Sequence, residues 1–210
     1  MAGCHCHHEA PTKTHSKKFR NALWIALVLN LSLFLIEVVG GMQSGSASLW
    51  ADSLDFAGDS FNYIISLIAL GMSLYWRANA ALLKGGMMVL FAGLVVGKVV
   101  WSYSIGQPPE AMTMGVIGVL ALLANIISAF VLYTFRDGDS NMRSVWLCSR
   151  NDAIGNVAVL LAALGVFGTQ SMFPDLLVAF IMAILGFSGG LQVIKQARAE
   201  RQKSRYTPVH

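Results

Sequence analysis

Charge is what this sequence has least of: Asp, Glu, Lys and Arg make up 12% of its 210 residues, about half the share usual in a water-soluble domain. With 55% of residues hydrophobic, too little polar surface remains to wrap a soluble core, so an ordinary cytosolic enzyme is excluded. Proline is scarce as well. Pro11, Pro108, Pro109, Pro174 and Pro208 all fall outside the long apolar stretches, which leaves those stretches unbroken as helices. The alternation of apolar and polar residues that a membrane-spanning strand requires over ~10-residue segments is absent. Cysteine occurs three times, twice within the first six residues, and a reducing cytoplasm would keep that pair as thiols.

What is present is apolar length. Six stretches reach the ~20 helical residues that cross a bilayer: Asn21 to Met42, Ser48 to Trp76, Gly85 to Tyr103, Ala111 to Thr134, Ser144 to Gly168 and Leu176 to Val193. They predict an all-α, polytopic membrane protein with six transmembrane helices. The expected division is a flexible Cys/His-rich tail (1–20), a six-helix transmembrane domain (21–193) and a basic tail (194–210). Glu37 and the lack of a cleavage site make the first stretch a permanent span rather than a leader. Thirteen Lys and Arg lie in the two tails and in the second and fourth connections, and none in the other three connections. Basic residues stay cytoplasmic, so both termini are expected there, in a multi-pass cell-membrane protein (the inner membrane, in a bacterium). The basic excess thus reports topology, and no nucleic-acid partner is expected. The final KQARAERQKSRY is expected to lie against anionic lipid.

Seven charges nevertheless sit inside the spans: Glu37, Asp52, Asp55, Asp59, Lys98, Arg150 and Asp152. Left unpaired, they would cost roughly 17 to 25 kcal/mol on an insertion scale. Five acids against two bases leave three negative charges that internal pairing does not cancel; protons or a cation must supply the balance. Asp52, Asp55, Asp59 and Asn62, spaced by three, four and three, form one stripe on helix 2. Cys148, Asp152 and Asn156 form another on helix 5. At 1.5 Å per residue, Asp59 and Asp152 come level near the midplane, about 16 and 18 Å from the outer surface, with Asn156 level with Asp55. Asp55, Asp59 and Asp152, completed by Cys148 or Asn156, are the candidate metal ligands. Oxygen donors with one thiolate or amide suit a small divalent ion such as Zn2+. The bland alternative, protonated acids at helix contacts, fits a lone aspartate better than three at one depth.

These residues carry a resemblance. The segment SGSASLWADSLDFAGDSFNYIISLIAL resembles helix 2 of the cation diffusion facilitator family, whose members bear a metal-binding pair four residues apart after a small-residue, LADS-like run. In this sequence that pair is Asp55 and Asp59. The segment CSRNDAIGNVAVLLAAL is similar to the family's helix 5, with Asp152 at the Asp position and Cys148 where a His is usual. The resemblance implies a carrier, not an enzyme, exporting Zn2+, Cd2+, Co2+ or Fe2+ in exchange for protons; it requires no cofactor, the metal being cargo. Seventeen residues follow helix 6, so the cytoplasmic domain most members use to dimerise is not expected, and any homodimer would be held by the membrane helices. Two other classes remain open: a membrane metal sensor or binding partner without turnover, and a proton-coupled carrier of small organic cations.

The remaining polar positions have milder readings. Glu37 and Lys98 are expected to pair structurally, while Asp52, on the ligand stripe near the outer mouth, would attract ions. Arg150 points about 200° away from Asp152 around its helix and should snorkel to the surface. Asn62 and Asn151 are assigned with Asp52 to the transport path, and Asn125 to a bridge between helices. Cys4, His5, Cys6, His7 and His8, with His15 beyond, have the composition of a metal-capturing tail. Gly93 and Gly97, and Gly186, Gly189 and Gly190, permit close helix packing.

Overall fold

The computed structural model describes the backbone of residues 13–69, 74–135 and 140–206, and the side chains of those stretches except at 13–16, 69, 74–78, 80, 140–145, 147, 148, 151, 200 and 203–206. Among the described residues, six helices make up the fold: α1 (Lys13–Ser44), α2 (Ala47–Ala69), α3 (Leu74–Ile105), α4 (Ala111–Tyr133), α5 (Ser140–Thr169) and α6 (Phe173–Tyr206). No strand occurs among the described residues. Several helices outrun their apolar cores. α1 begins at Lys13 and α6 continues to Tyr206, so parts of both expected tails are helical. Lys, Arg, Gln, Ala and Glu are strong helix formers, and polarity does not end a helix that lacks Pro or Gly. For the same reason α3 begins well before Gly85, and Arg77 and Lys84 lie on it rather than in a connection.

Among the described residues, five segments are long and apolar enough to cross a membrane: Lys17–Ser44, Ala81–Ile105, Ala111–Tyr133, Asp152–Thr169 and Phe173–Ala199. The remaining helix, α2, has 23 residues but carries Asp52, Asp55 and Asp59 in its middle. Large apolar side chains such as Leu31, Leu90, Phe130 and Leu164 are exposed around the outside. So extensive an apolar exterior belongs in lipid. The protein is a polytopic, all-helical membrane protein.

The helices divide into two groups. α1, α2, α5 and α4 form a closed ring in which each packs on the next, and α3 and α6 form a separate pair leaning on α2 and α5. The start of α1 and the end of α6 lie at one end of this up-and-down arrangement. At that end Phe19, Leu23, Tyr63, Leu132 and Phe135 fill the ring; at the far end Leu49, Met114, Ile117, Val159 and Val166 do so.

The turn from α1 to α2 shows how the ring is tied to the pair. Gly45 takes the left-handed conformation (φ +75°) that ends α1. Ser46 then caps α2, its Oγ accepting from the Leu49 N–H at 3.1 Å. The buried Asp175, in the first turn of α6, accepts hydrogen bonds from Ser46 Oγ (2.6 Å), the Ala47 N–H (2.7 Å) and the Ser48 N–H (3.0 Å). A carboxylate from one helix thus satisfies the free N–H groups at the start of another and meets its positive dipole end.

The α3–α6 pair depends on missing side chains. A Cβ on Gly190 would stand 2.9 Å from Val89 Cγ2 and 3.0 Å from the Gly85 carbonyl oxygen, and one on Gly85 would stand 2.7 Å from Ile194 Cγ1. Gly93 and Gly97, which share the spacing often linked to helix pairing, have open space around their Cβ positions. Gly190→Leu is therefore expected to cost about 1 to 3 kcal/mol by overpacking, whereas Gly97→Leu should leave the thermal unfolding of the purified protein in detergent nearly unchanged.

Candidate metal site

Between ring and pair lies a cavity of about 570 Å³. One wall is the acidic stripe of α2, with Asp52, Asp55 and Asp59, together with Asp152 of α5; the other is formed by α3 and α6 residues such as Met88, Phe91, Val178 and Met182. The three- and four-residue spacing on α2 turns all three carboxyl groups to one side, and the antiparallel α5 brings Asp152 alongside. Asp55 is the most open of these groups, Asp152 is half-buried and Asp59 is buried. They share the cavity wall without closing on one point: among the described side chains, no three of His, Cys, Asp or Glu gather at metal-ligand spacing. Like charges in a site of low dielectric favour such separation.

Asp59 is held from behind. The Tyr63 hydroxyl lies 3.3 Å from Asp59 Oδ2 as donor and 2.8 Å from Ser149 Oγ on α5. Tyr63 and Ser149 are completely buried.

A second polar layer crosses the ring and takes in two of the sequence candidates. Asn156 Nδ2 donates to Asp52 Oδ2, and Asn156 Oδ1 accepts from Asn125 Nδ2 at 2.8 Å. Asn156 is fully buried and absent from the cavity wall, so both ends of its amide are committed inside the ring. Asn125 makes the expected bridge, between α4 and α5. Asp52 lines the cavity but is 2% exposed, which places it in the ring core and not at an open mouth. Glu37 lies beside Asp52. The expected Glu37–Lys98 ion pair is not formed: among the described residues, neither Glu37 oxygen meets a hydrogen-bond partner. Similar depth in the membrane does not make two residues neighbours, because Lys98 rides on α3, which packs chiefly with α6, whereas Glu37 points into the ring.

Other expectations divide in the same way. Arg150 is exposed and stacks on Trp146, with its guanidinium carbon 5.3 Å from the ring centre, as a snorkelling side chain does. Asn62 is half-buried and not on the cavity wall. The side chains of Cys148 and Asn151, and the tail residues Cys4, His5, Cys6, His7 and His8, lie outside the described residues.

Residues 23–200 match the family model for the cation efflux transmembrane domain. The chain belongs to the cation efflux family. Among similar proteins, the cadmium, cobalt and zinc/H(+)-K(+) antiporter of Bacillus subtilis is 25% identical over 210 aligned residues, covering 92% of this chain and 64% of that protein. Zinc transporter ZitB of Escherichia coli is 27% identical, covering 94% and 66%. The metal cation efflux system protein CzcD of Cupriavidus metallidurans is 25% identical, covering 78% and 55%. The chain therefore spans between 55% and 66% of the length of these relatives.

Three features of this cation efflux chain were not visible in its sequence. Lys84, counted there only toward topology, is the basic residue of the cavity wall among the described residues. Tyr63 continues the α2 stripe four residues beyond Asp59, a spacing that would have flagged it, but an aromatic residue in a span reads as packing. Asp175 gave no such signal, since its partners lie 127 to 129 positions away.

Proposed function

We propose that this protein exports divalent metal ions, Zn2+ first and Cd2+, Co2+ or Fe2+ after it, in exchange for protons. Asp55, Asp59 and Asp152 are the ligands, with Cys148, one turn before Asp152 on α5, as the fourth. The reading rests on one observation: among the described residues, four carboxyl groups and one basic residue, Lys84, line a cavity between helices that sit in lipid. Such an imbalance is costly without a visiting cation or protons, so metal and protons compete for the same oxygens. The relatives' names, which include zinc, cadmium and cobalt, support the choice of cargo. Asn156 serves the site indirectly, by holding Asp52 from inside the ring.

The cavity suggests how access alternates. Its walls belong to two separately packed groups, so sliding or tilting of the α3–α6 pair against the ring would open the carboxylates to one side and then the other. The basic residues favour both termini in the cytoplasm, with export away from them.

Reconstitution into vesicles carrying an imposed pH gradient tests this. Zinc accumulation driven by the gradient, with proton movement in the opposite direction, is the expected result. Stoichiometric zinc binding without flux would identify a sensor, and gradient-driven uptake of a small organic cation with no response to zinc would identify the other class of carrier.

A further inference from the structure

Tyr63 presents a question that packing does not answer. Its ring sits in the apolar group of Phe19, Leu23, Leu27, Leu132 and Phe135 that fills the ring of helices at the end where α1 begins. Phenylalanine would fill that space equally well. A buried phenol needs a hydrogen-bond partner, and its hydroxyl costs stability wherever none is provided. Here the hydroxyl reaches out of the apolar group to the last carboxylate of the α2 stripe, Asp59, and to Ser149 of α5.

We infer that Tyr63 is a positioning residue for the metal site, its hydroxyl fixing the orientation of Asp59 and, through Ser149, the register of α2 against α5. The inference rests on the metal-binding part of the proposed function. Three physical points carry it. An ionised carboxylate accepts at about four lone-pair positions, so the phenol occupies one and leaves the rest of Asp59 for an ion. The phenol is itself immobilised, because its ring is locked among apolar side chains contributed by α1 and α4. Finally, Ser149 precedes Asp152 by three residues, almost one helical turn. The link Asp59–Tyr63–Ser149 therefore sets the distance between the two helices that carry the ligands. Groups that orient a ligand from behind change metal affinity by about 10- to 100-fold when removed.

The test uses the full chain, purified in detergent for zinc titration calorimetry and reconstituted for zinc uptake. Tyr63→Phe keeps the packing and removes only the hydroxyl. It is expected to weaken zinc binding and raise the half-saturating zinc concentration by about 10-fold or more, with the maximal uptake rate and the unfolding temperature close to the parent's. Ser149→Ala should produce a smaller shift in the same direction, and the double variant should be no worse than Tyr63→Phe alone, because both substitutions break one chain of contacts. Parent-like zinc affinity in Tyr63→Phe and Ser149→Ala, with Asp59→Asn impaired, would overturn the inference and leave the carrier reading standing. Tyr63-dependent zinc binding in a parent that moves no zinc would overturn the carrier reading and uphold the inference. A parent that binds no zinc would overturn both.

Discussion

Asp59→Asn and Asp152→Asn are each expected to abolish gradient-driven zinc uptake while the protein still reaches the membrane folded. Asparagine has nearly the shape of aspartate and keeps one oxygen, so what is removed is a single negative charge facing the cavity. Loss of one close charge interaction in a poorly screened site costs on the order of 3 kcal/mol, or about 100-fold in affinity. The same change removes a group that would take up a proton as the ion departs, so zinc-driven proton release should disappear together with zinc uptake. Stability should move the other way or not at all, because fewer like charges then share the cavity wall. Uptake assays in vesicles, paired with calorimetric zinc titration, read both effects. Parent-level transport by both variants would remove these aspartates from the site.

Asp175→Ala should do the opposite, damaging the fold before the chemistry. The carboxylate is 1% exposed and accepts from Ser46 Oγ and the N–H groups of Ala47 and Ser48. Its removal leaves three buried donors at the start of α2 without that acceptor and withdraws a negative charge from the helix dipole. A lost cap and lost hydrogen bonds to a charged group together come to about 3 kcal/mol, a large share of the stability of a small domain. Thermal unfolding in detergent should show a fall of several degrees, which Asp175→Asn would partly reverse because it keeps an acceptor oxygen. Asp175 also joins α2 of the ring to α6 of the pair at the end where α1 turns into α2. If the two groups move against each other during transport, that tie is a natural pivot, and Asp175→Asn should slow uptake more than it weakens zinc binding. An Asp175→Ala variant as stable as the parent would show that the three hydrogen bonds contribute little.

The two variant sets separate two kinds of legibility. The acids of α2 and α5 could be read directly, because a charge in an apolar run is costly and helical spacing assigns its face. The depth arithmetic set Asp152 level with Asp59, and in the structure Asp152 lines the same cavity as Asp55 and Asp59 without meeting them at one point. It failed for Glu37 and Lys98, which lie at similar heights on helices belonging to different groups. Asn156 shows the same limit: it shares a stripe with Asp152, yet four residues on an α-helix turn through about 400°. That small drift is enough to carry its side chain from the cavity wall into the ring, where Asp52 and Asn125 hold it.

Local chain chemistry was therefore sufficient for the six helices, their burial in lipid and the existence of a surplus of negative charge, since each follows from hydrophobic length, proline placement and a periodicity of 3.6 residues. It was not sufficient for partnership. Nothing within a window of a few residues distinguishes the Gly85–Gly190 contact from the open space beside Gly93 and Gly97, or connects Asp175 to Ser46. Those outcomes depend on which helix faces which, and in a membrane that choice comes from close packing and hydrogen bonds between distant segments rather than from hydrophobicity, which is nearly equal on every side.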